Sequence, residues 1–206
     1  MPTRTAKNVS QERVLFAGFT LIELLVVIGI VVILSVVVIL TLNPAELLRQ
    51  ARDSTRFSDL STLKSGIALY LADAPAPLSL GTQGTVCYVA SSSNVSSIST
   101  PGCGGRFTGG TINWSSSLAV NGIGWVPINF TAVNSGAPLS ALPVDPVNNA
   151  TNFYGYRVAT SALMTYELNA DLESSKYTIG NQNYETTDGG NSSTVYEVGT
   201  ASGLGL

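Results

Sequence analysis

The chain contains no histidine. That removes Ser-His-Asp and Cys-His arrangements, imidazole acid–base catalysis and the H-E-x-x-H zinc motif together. Charge is scarce too, at 11% of residues, with 10 basic against 13 acidic and a net charge of −3. The basic residues form no polybasic face, so nothing marks a nucleic-acid partner. Cysteine occurs only twice, at Cys87 and Cys103. With no nucleophile–base pair, metal box or phosphate loop in view, an enzyme is the weakest of the function classes. The length of 206 residues allows one domain of ordinary size with an appendage.

Apolar residues are plentiful, at 45%, but they are unevenly placed. The run from Phe19 to Leu42 is apolar almost throughout, and as a helix it extends about 36 Å against a hydrocarbon core of roughly 30 Å. It has no polar face, which excludes an ordinary core helix. It is longer than the apolar part of a cleaved secretory signal, and "LTLNPAELL" offers no A-x-A site after it. Arg4, Lys7 and Arg13 precede it against Glu12 alone, so residues 1–18 are expected on the cytoplasmic side and the rest is exported. The mildly acidic remainder then carries both cysteines into a compartment where one disulfide is the natural reading, two unpaired thiols being the alternative.

A plain single-span anchor explains length and orientation. It leaves Glu23 without a use, although a carboxylate inside a span costs about 2.5–3.5 kcal/mol on insertion scales. The stretch "GFTLIELLVVIGIVVIL" resembles the leader junction of type IV pilins and type II secretion pseudopilins: a short basic leader ending in Gly18, then Phe19, with Glu23 fifth after the cut. The resemblance implies cleavage between Gly18 and Phe19 by a prepilin peptidase, N-methylation of Phe19, and retention of residues 19–43 as a transmembrane and filament-core helix. It implies further that Glu23 pairs with the new N-terminal ammonium, on its own or a neighbouring subunit, and so biases assembly toward one register. The partners implied are identical or homologous pilin subunits and an inner-membrane assembly platform with its ATPase, with membrane lipid before assembly. The alternative is a membrane-anchored surface binding module that does not polymerise.

Past the span, Asn43, Pro44 and Glu46 read as a helix restart, with Asn43 as N-cap, Pro44 at the first position and a kink there. Residues 44–74 then form an amphipathic spine helix burying Leu48, Ala51, Leu60, Leu63, Ile67 and Tyr70 or Leu71. Arg49, Arg52, Asp53, Arg56, Asp59 and Lys64 read as a solvated face with weak pairs. The helix is expected to end near Asp73, because Pro75 and Pro77 cannot continue it.

Residues 75–206 carry short β-like runs: 85–90, 111–114, 125–130, 153–159, 162–169 and 194–199. Thr160-Ser161 reads as a hairpin turn, and Pro127 marks its run as an edge or an irregular segment. The expected fold is α+β, pilin-like, with the long N-terminal helix packed on a small antiparallel sheet. A second resemblance lies in Asp145-Pro146 followed by Tyr154 and Tyr156, similar to major pseudopilins though without their Trp; here it reads as a turn with one buried and one exposed ring. Pseudopilin relatives also hold calcium in a late loop, which makes Asp171, Glu173 and Asp188 candidate ligands against a solvated acidic loop.

Overall fold

Extending the apolar stripe of the spine backward explains most of the architecture. The computed structural model describes residues 18–90, 98, 102–159, 164–179, 183–200 and 205–206. Two helices open it, α1 (Leu21–Leu42) and α2 (Pro44–Asp73). The chain forms two compact units, one ending at Asn43 and one running from Pro44 to Leu206, so the spine and the β-rich region are one body. Asn43 separates the helices in the left-handed conformation, φ 39°, as the C-cap of α1. It is not the N-cap expected of it; Asn is among the few residues that tolerate this backbone. Glu46, in the first turn of α2, accepts from Ser175 Oγ at 2.8 Å.

On α2 the buried positions are Asp53, Arg56, Leu60, Leu63, Gly66, Ile67 and Tyr70. They recur every three to four residues, and Leu60, Leu63 and Ile67 are completely enclosed. Leu48 and Ala51, expected on this stripe, are exposed. The stripe runs through two charges instead, which corrects the solvated-face expectation for Asp53 and Arg56. The helix ends at Asp73, whose carboxylate accepts from Ser135 N at 2.7 Å.

Against this stripe lies a five-stranded mixed sheet in the order β2-β1-β3-β4-β5, formed by β1 (Val86–Ala90), β2 (Thr111–Ser115), β3 (Tyr154–Val158), β4 (Tyr166–Ala170) and β5 (Tyr196–Gly199). All pairings are antiparallel except β1 with β2, which is parallel. A parallel neighbour demands a crossover of a dozen or more residues, and the segment between Ala90 and Thr111 supplies it. An all-antiparallel sheet is therefore not what forms. Cys87 on β1 is disulfide-bonded to Cys103 in α3 (Gly102–Gly105), a single turn in that crossover, with Cα atoms 6.3 Å apart. In the chain-entropy model such a bridge is worth about 3 kcal/mol.

β3 and β4 pair from Tyr154↔Ala170 to Val158↔Tyr166, as the expected hairpin requires; its turn at 160–163 lies outside the described residues. The run 125–130 is not a strand. Trp125, Val126, Ile128 and Phe130 are buried in irregular backbone that ends in a 3₁₀ turn, Phe130–Ala132. Tyr154 and Tyr156 are both buried, because residues two apart on a strand share a face. With Tyr88, Val158, Tyr166 and Leu168 they form the inner layer against α2. Their hydroxyls find partners: Tyr154 donates to Asp59 Oδ2 at 2.8 Å and Tyr156 to the Leu80 carbonyl at 2.9 Å. The outer face carries a smaller cluster of Cys87, Val89, Ile98, Cys103, Phe107 and Phe153. From Ala74 to Ala170 the only charged residues are Arg106, Asp145, Arg157 and Glu167, and all four are buried.

Leu63 sits at the centre of the stripe with no exposed surface. Leu63→Ala is expected to lower unfolding stability by about 2–5 kcal/mol in chemical denaturation, whereas Leu48→Ala changes it by no more than about 0.5 kcal/mol.

Candidate functional site

Helix α1 is the first candidate. It is 22 residues long, has no buried residue, and is long and apolar enough to cross a membrane. Its few polar side chains are satisfied by the helix itself. Ser35 Oγ donates to the Val31 carbonyl at 2.7 Å, and Thr41 Oγ1 to the carbonyls of Val37 and Val38 at 3.1 and 3.0 Å. That suits an environment without water. Gly18 and Phe19 precede the helix and are exposed, Phe19 at 90%.

Glu23 closes a capping box that the sequence reading missed. Thr20 Oγ1 accepts from Glu23 N at 3.2 Å, while Glu23 Oε2 accepts from Thr20 N at 2.8 Å and from Thr20 Oγ1 at 2.9 Å. The signature T-x-x-E before an apolar run was legible in the sequence. The carboxylate thus has a local function, satisfying a backbone amide that the start of a helix leaves without an intrahelical partner. It reaches the backbone nitrogen one residue downstream of Phe19.

The second constellation is a buried charged clasp on α2. The Arg56 guanidinium, completely enclosed, makes a two-pronged pair with Asp145, Nε to Oδ2 at 2.6 Å and Nη2 to Oδ1 at 3.0 Å. Its Nη1 donates to Asp53 at 2.7 Å and to Glu173 at 2.9 Å, and Glu173 also accepts from Arg52 Nε at 2.6 Å. Burial works against the Arg56 charge, yet the carboxylates around it, Asp145 foremost, outweigh burial and hold it protonated. Asp53 accepts from the backbone nitrogens of Glu173 and Ser174, and Asp145 from those of Val147 and Asn148. Two loops are therefore tied to one turn of the spine. The expected turn at Asp145-Pro146 is present, with its carboxylate serving the turn and the guanidinium at once.

The calcium candidates do not come together. Asp171 is paired with Arg106 at 2.5 Å, Glu173 with Arg52 and Arg56, and Asp188 accepts from the backbone nitrogens of Gly190 and Glu197. Among the described residues no group of three or more acidic, cysteine or histidine side chains is arranged to hold a metal ion. Each candidate carboxylate already faces a cation or an amide, and the three do not converge on one point. Pro44 lies where expected, at the first position of α2, and Cys87 and Cys103 are joined. Sequence reasoning missed Arg56, although Asp53 and Arg56 fall on the backward extension of Leu60 and Leu63.

Compared with protein-family models, with curated proteins and with solved structures, the chain finds no match.

Removing Arg56 leaves Asp53 and Asp145 buried without their cation. Arg56→Met is expected to cost about 3–5 kcal/mol of stability in denaturant titration, and Arg56→Lys to recover only part of it, since an ammonium cannot make the two-pronged pair. Burial raises the Glu173 carboxyl, but Arg52 and Arg56 outweigh burial and leave it below the usual range. Its contribution is accordingly complete above the unfolded value of about 4.3 and is lost as the pH falls through the folded value. Glu173→Gln should be destabilising at about pH 7 and nearly neutral at about pH 2; equal destabilisation at both would show that the charge is not what matters.

Proposed function

We propose that the chain is a structural subunit of a type IV pilus-like or pseudopilus filament, processed after Gly18 by a prepilin peptidase, methylated at Phe19 and assembled through α1. The observation that carries this reading is a 22-residue apolar helix with every residue exposed and one carboxylate, Glu23, in its first turn. Before assembly the helix lies in lipid, with residues 1–18 cytoplasmic and the β-rich unit exported. In the filament, lipid contacts are exchanged for close packing among helices, since lipid and leucine are equally apolar and packing must supply the preference.

Cleavage after Gly18 converts the Phe19 nitrogen into an ammonium with a pKa of about 8, cationic at neutral pH. The carboxylate of Glu23 already reaches the Thr20 nitrogen next to it. Either charge alone is expensive in a dry helix bundle, and pairing offsets part of that cost. A partner nitrogen on a neighbouring subunit rewards one axial register over others. The alternative, a single-span anchor presenting a surface binding module, is favoured by the same exposed helix. It needs Glu23 only for the capping box.

Glutamine at position 23 keeps the capping box but abolishes the charge. Under the filament reading, Glu23→Gln inserts and is cleaved, and mass spectrometry finds mature chains beginning with methylated Phe19, but sheared filaments are reduced by at least about tenfold. Wild-type filament yield from Glu23→Gln, or mature chains that still carry residues 1–18, would favour the anchor.

A further inference from the structure

The outer face of strands β3, β4 and β5 buries a row of polar side chains that neither the clasp nor α1 uses. Arg157, Glu167, Asn169 and Glu197 are all less than one-tenth exposed, Glu167 at 0% and Glu197 at 1%. Register places Arg157 opposite Glu167 and Asn169 opposite Glu197, so the two glutamates are diagonal neighbours on β4 and β5, a separation that long side chains span. Glu167 Oε1 accepts from Asn169 Nδ2 at 3.2 Å and its Oε2 from Leu206 N at 3.1 Å. Glu197 Oε2 accepts from Ser192 N at 2.8 Å. Glu197 Oε1 is buried and has no donor among the described residues.

The charges facing this pair do not neutralise it. Arg157, on β3, spends its guanidinium on the carbonyls of Gly84, Thr108 and Gly109, and its Nε has no partner among the described residues. Asp188, from the turn before β5, adds a further carboxylate and accepts from Glu197 N at 2.6 Å. Neither glutamate makes an ion pair among the described residues. Space is tight as well: a Cβ at Gly190 would collide with the Glu197 carboxylate.

Two enclosed carboxyls on neighbouring strands cannot both be ionised without strong repulsion, whereas one proton between them forms a short, charge-assisted O–H···O⁻ bond. That proton is the missing donor for Glu197 Oε1. We propose that Glu167 and Glu197 share one proton, and that this proton latches the edge strand β5 to β4, held in acid and given up as the pH turns mildly alkaline.

Burial pushes the Glu167 carboxyl up to about 8, with the Glu197 charge adding to it, and burial raises Glu197 as well. When the latch opens, the Glu167 O–H bond breaks, the proton passes to solvent base, and two carboxylates of like charge remain. β5 yields first, because it is four residues long and pairs with a strand on one side only. Once β5 is open, the exposed glutamates have ordinary values near 4.3, so the closed form holds a proton that the open form has lost throughout the window from about 5 to 8. Latching is strongest below that window, weakens about tenfold per pH unit across it, and is flat beyond.

The full chain in detergent micelles tests this by hydrogen–deuterium exchange, corrected for the intrinsic rate at each pH. Protection of Tyr196–Gly199 should fall about tenfold per unit between about pH 5 and 8 and then level off, while β3 stays protected. Glu167→Gln, whose amide donates to Glu197 without a proton to lose, should hold β5 at a pH-independent level. Protection of wild-type β5 that does not change with pH, or the same fall in Glu167→Gln, would overturn the proposal. Loss of β5 protection on adding a chelator at about pH 5 would also overturn it, by placing a cation between the carboxyls. Should the variant fail to fold, carboxyl ¹³C shifts of labelled glutamate in the wild-type chain decide: one proton retained to about pH 8 upholds the pair, and complete titration below about pH 5 refutes it.

Discussion

The enclosed guanidinium of Arg56 is the constraint on which the β-rich unit depends. Three carboxylates from different parts of the chain converge on it, Asp53 from its own helix, Asp145 from the loop before β3 and Glu173 from the segment after β4. An arrangement of this kind adds little net stability over an apolar core, because desolvation cancels much of the Coulomb attraction. Its effect is on uniqueness. No other residue in the stripe can satisfy Asp53 and Asp145 at once, so a helix rotated or shifted by one turn would leave buried anions unpaired. The apolar residues Leu60, Leu63 and Ile67 make the spine adhere to the sheet, and Arg56 determines where.

The two faces of the sheet solve different problems. Toward α2, tyrosines fill the space and direct their hydroxyls to Asp59 and to carbonyls at the layer's margin, so wide rings are buried without orphaned oxygens. Away from α2, Arg106 lies 3.5 Å above the Phe153 ring and donates to the carbonyls of Phe153 and Thr151. Arg157 likewise gathers the loop carbonyls of Gly84, Thr108 and Gly109. With the Cys87–Cys103 bridge, these two arginines fasten the crossover that the parallel β1–β2 pairing requires.

Local signals made the two long helices and five of the six strand runs legible, because proline stops, three-to-four spacing and β-branched runs act within a few residues. The end of α2 at Asp73 follows from such signals, whereas the pairing of Cys87 with Cys103 was legible from their number and expected compartment. What escaped them depends on partners distant in sequence. Asp53 and Arg56 look like solvated helix charges until Asp145, 89 residues beyond Arg56, is brought alongside. The run 125–130 has strand composition, yet Trp125, with Nε1 bonded to the Pro143 carbonyl, plugs the core through irregular backbone. Asn43 had two roles open to it, starting one helix or ending another, and composition does not choose between them. At Glu23 the resemblance drew attention to assembly and away from the nearer explanation, the hydroxyl three residues before it. The calcium candidates illustrate the same limit: acidic residues counted along the chain are each matched in space to a cation or an amide.

Burying all four charges between Ala74 and Ala170 leaves the described surface of that stretch without a formal charge, with Trp114 and Ile123 standing out from it. Such a surface carries no formal charge of its own for dissolved ions to screen. It is wetted by dipoles alone. Contacts through it rest on shape and hydrogen-bond geometry at short range, and depend less on salt than contacts through the exposed charges of the spine and its neighbouring turns.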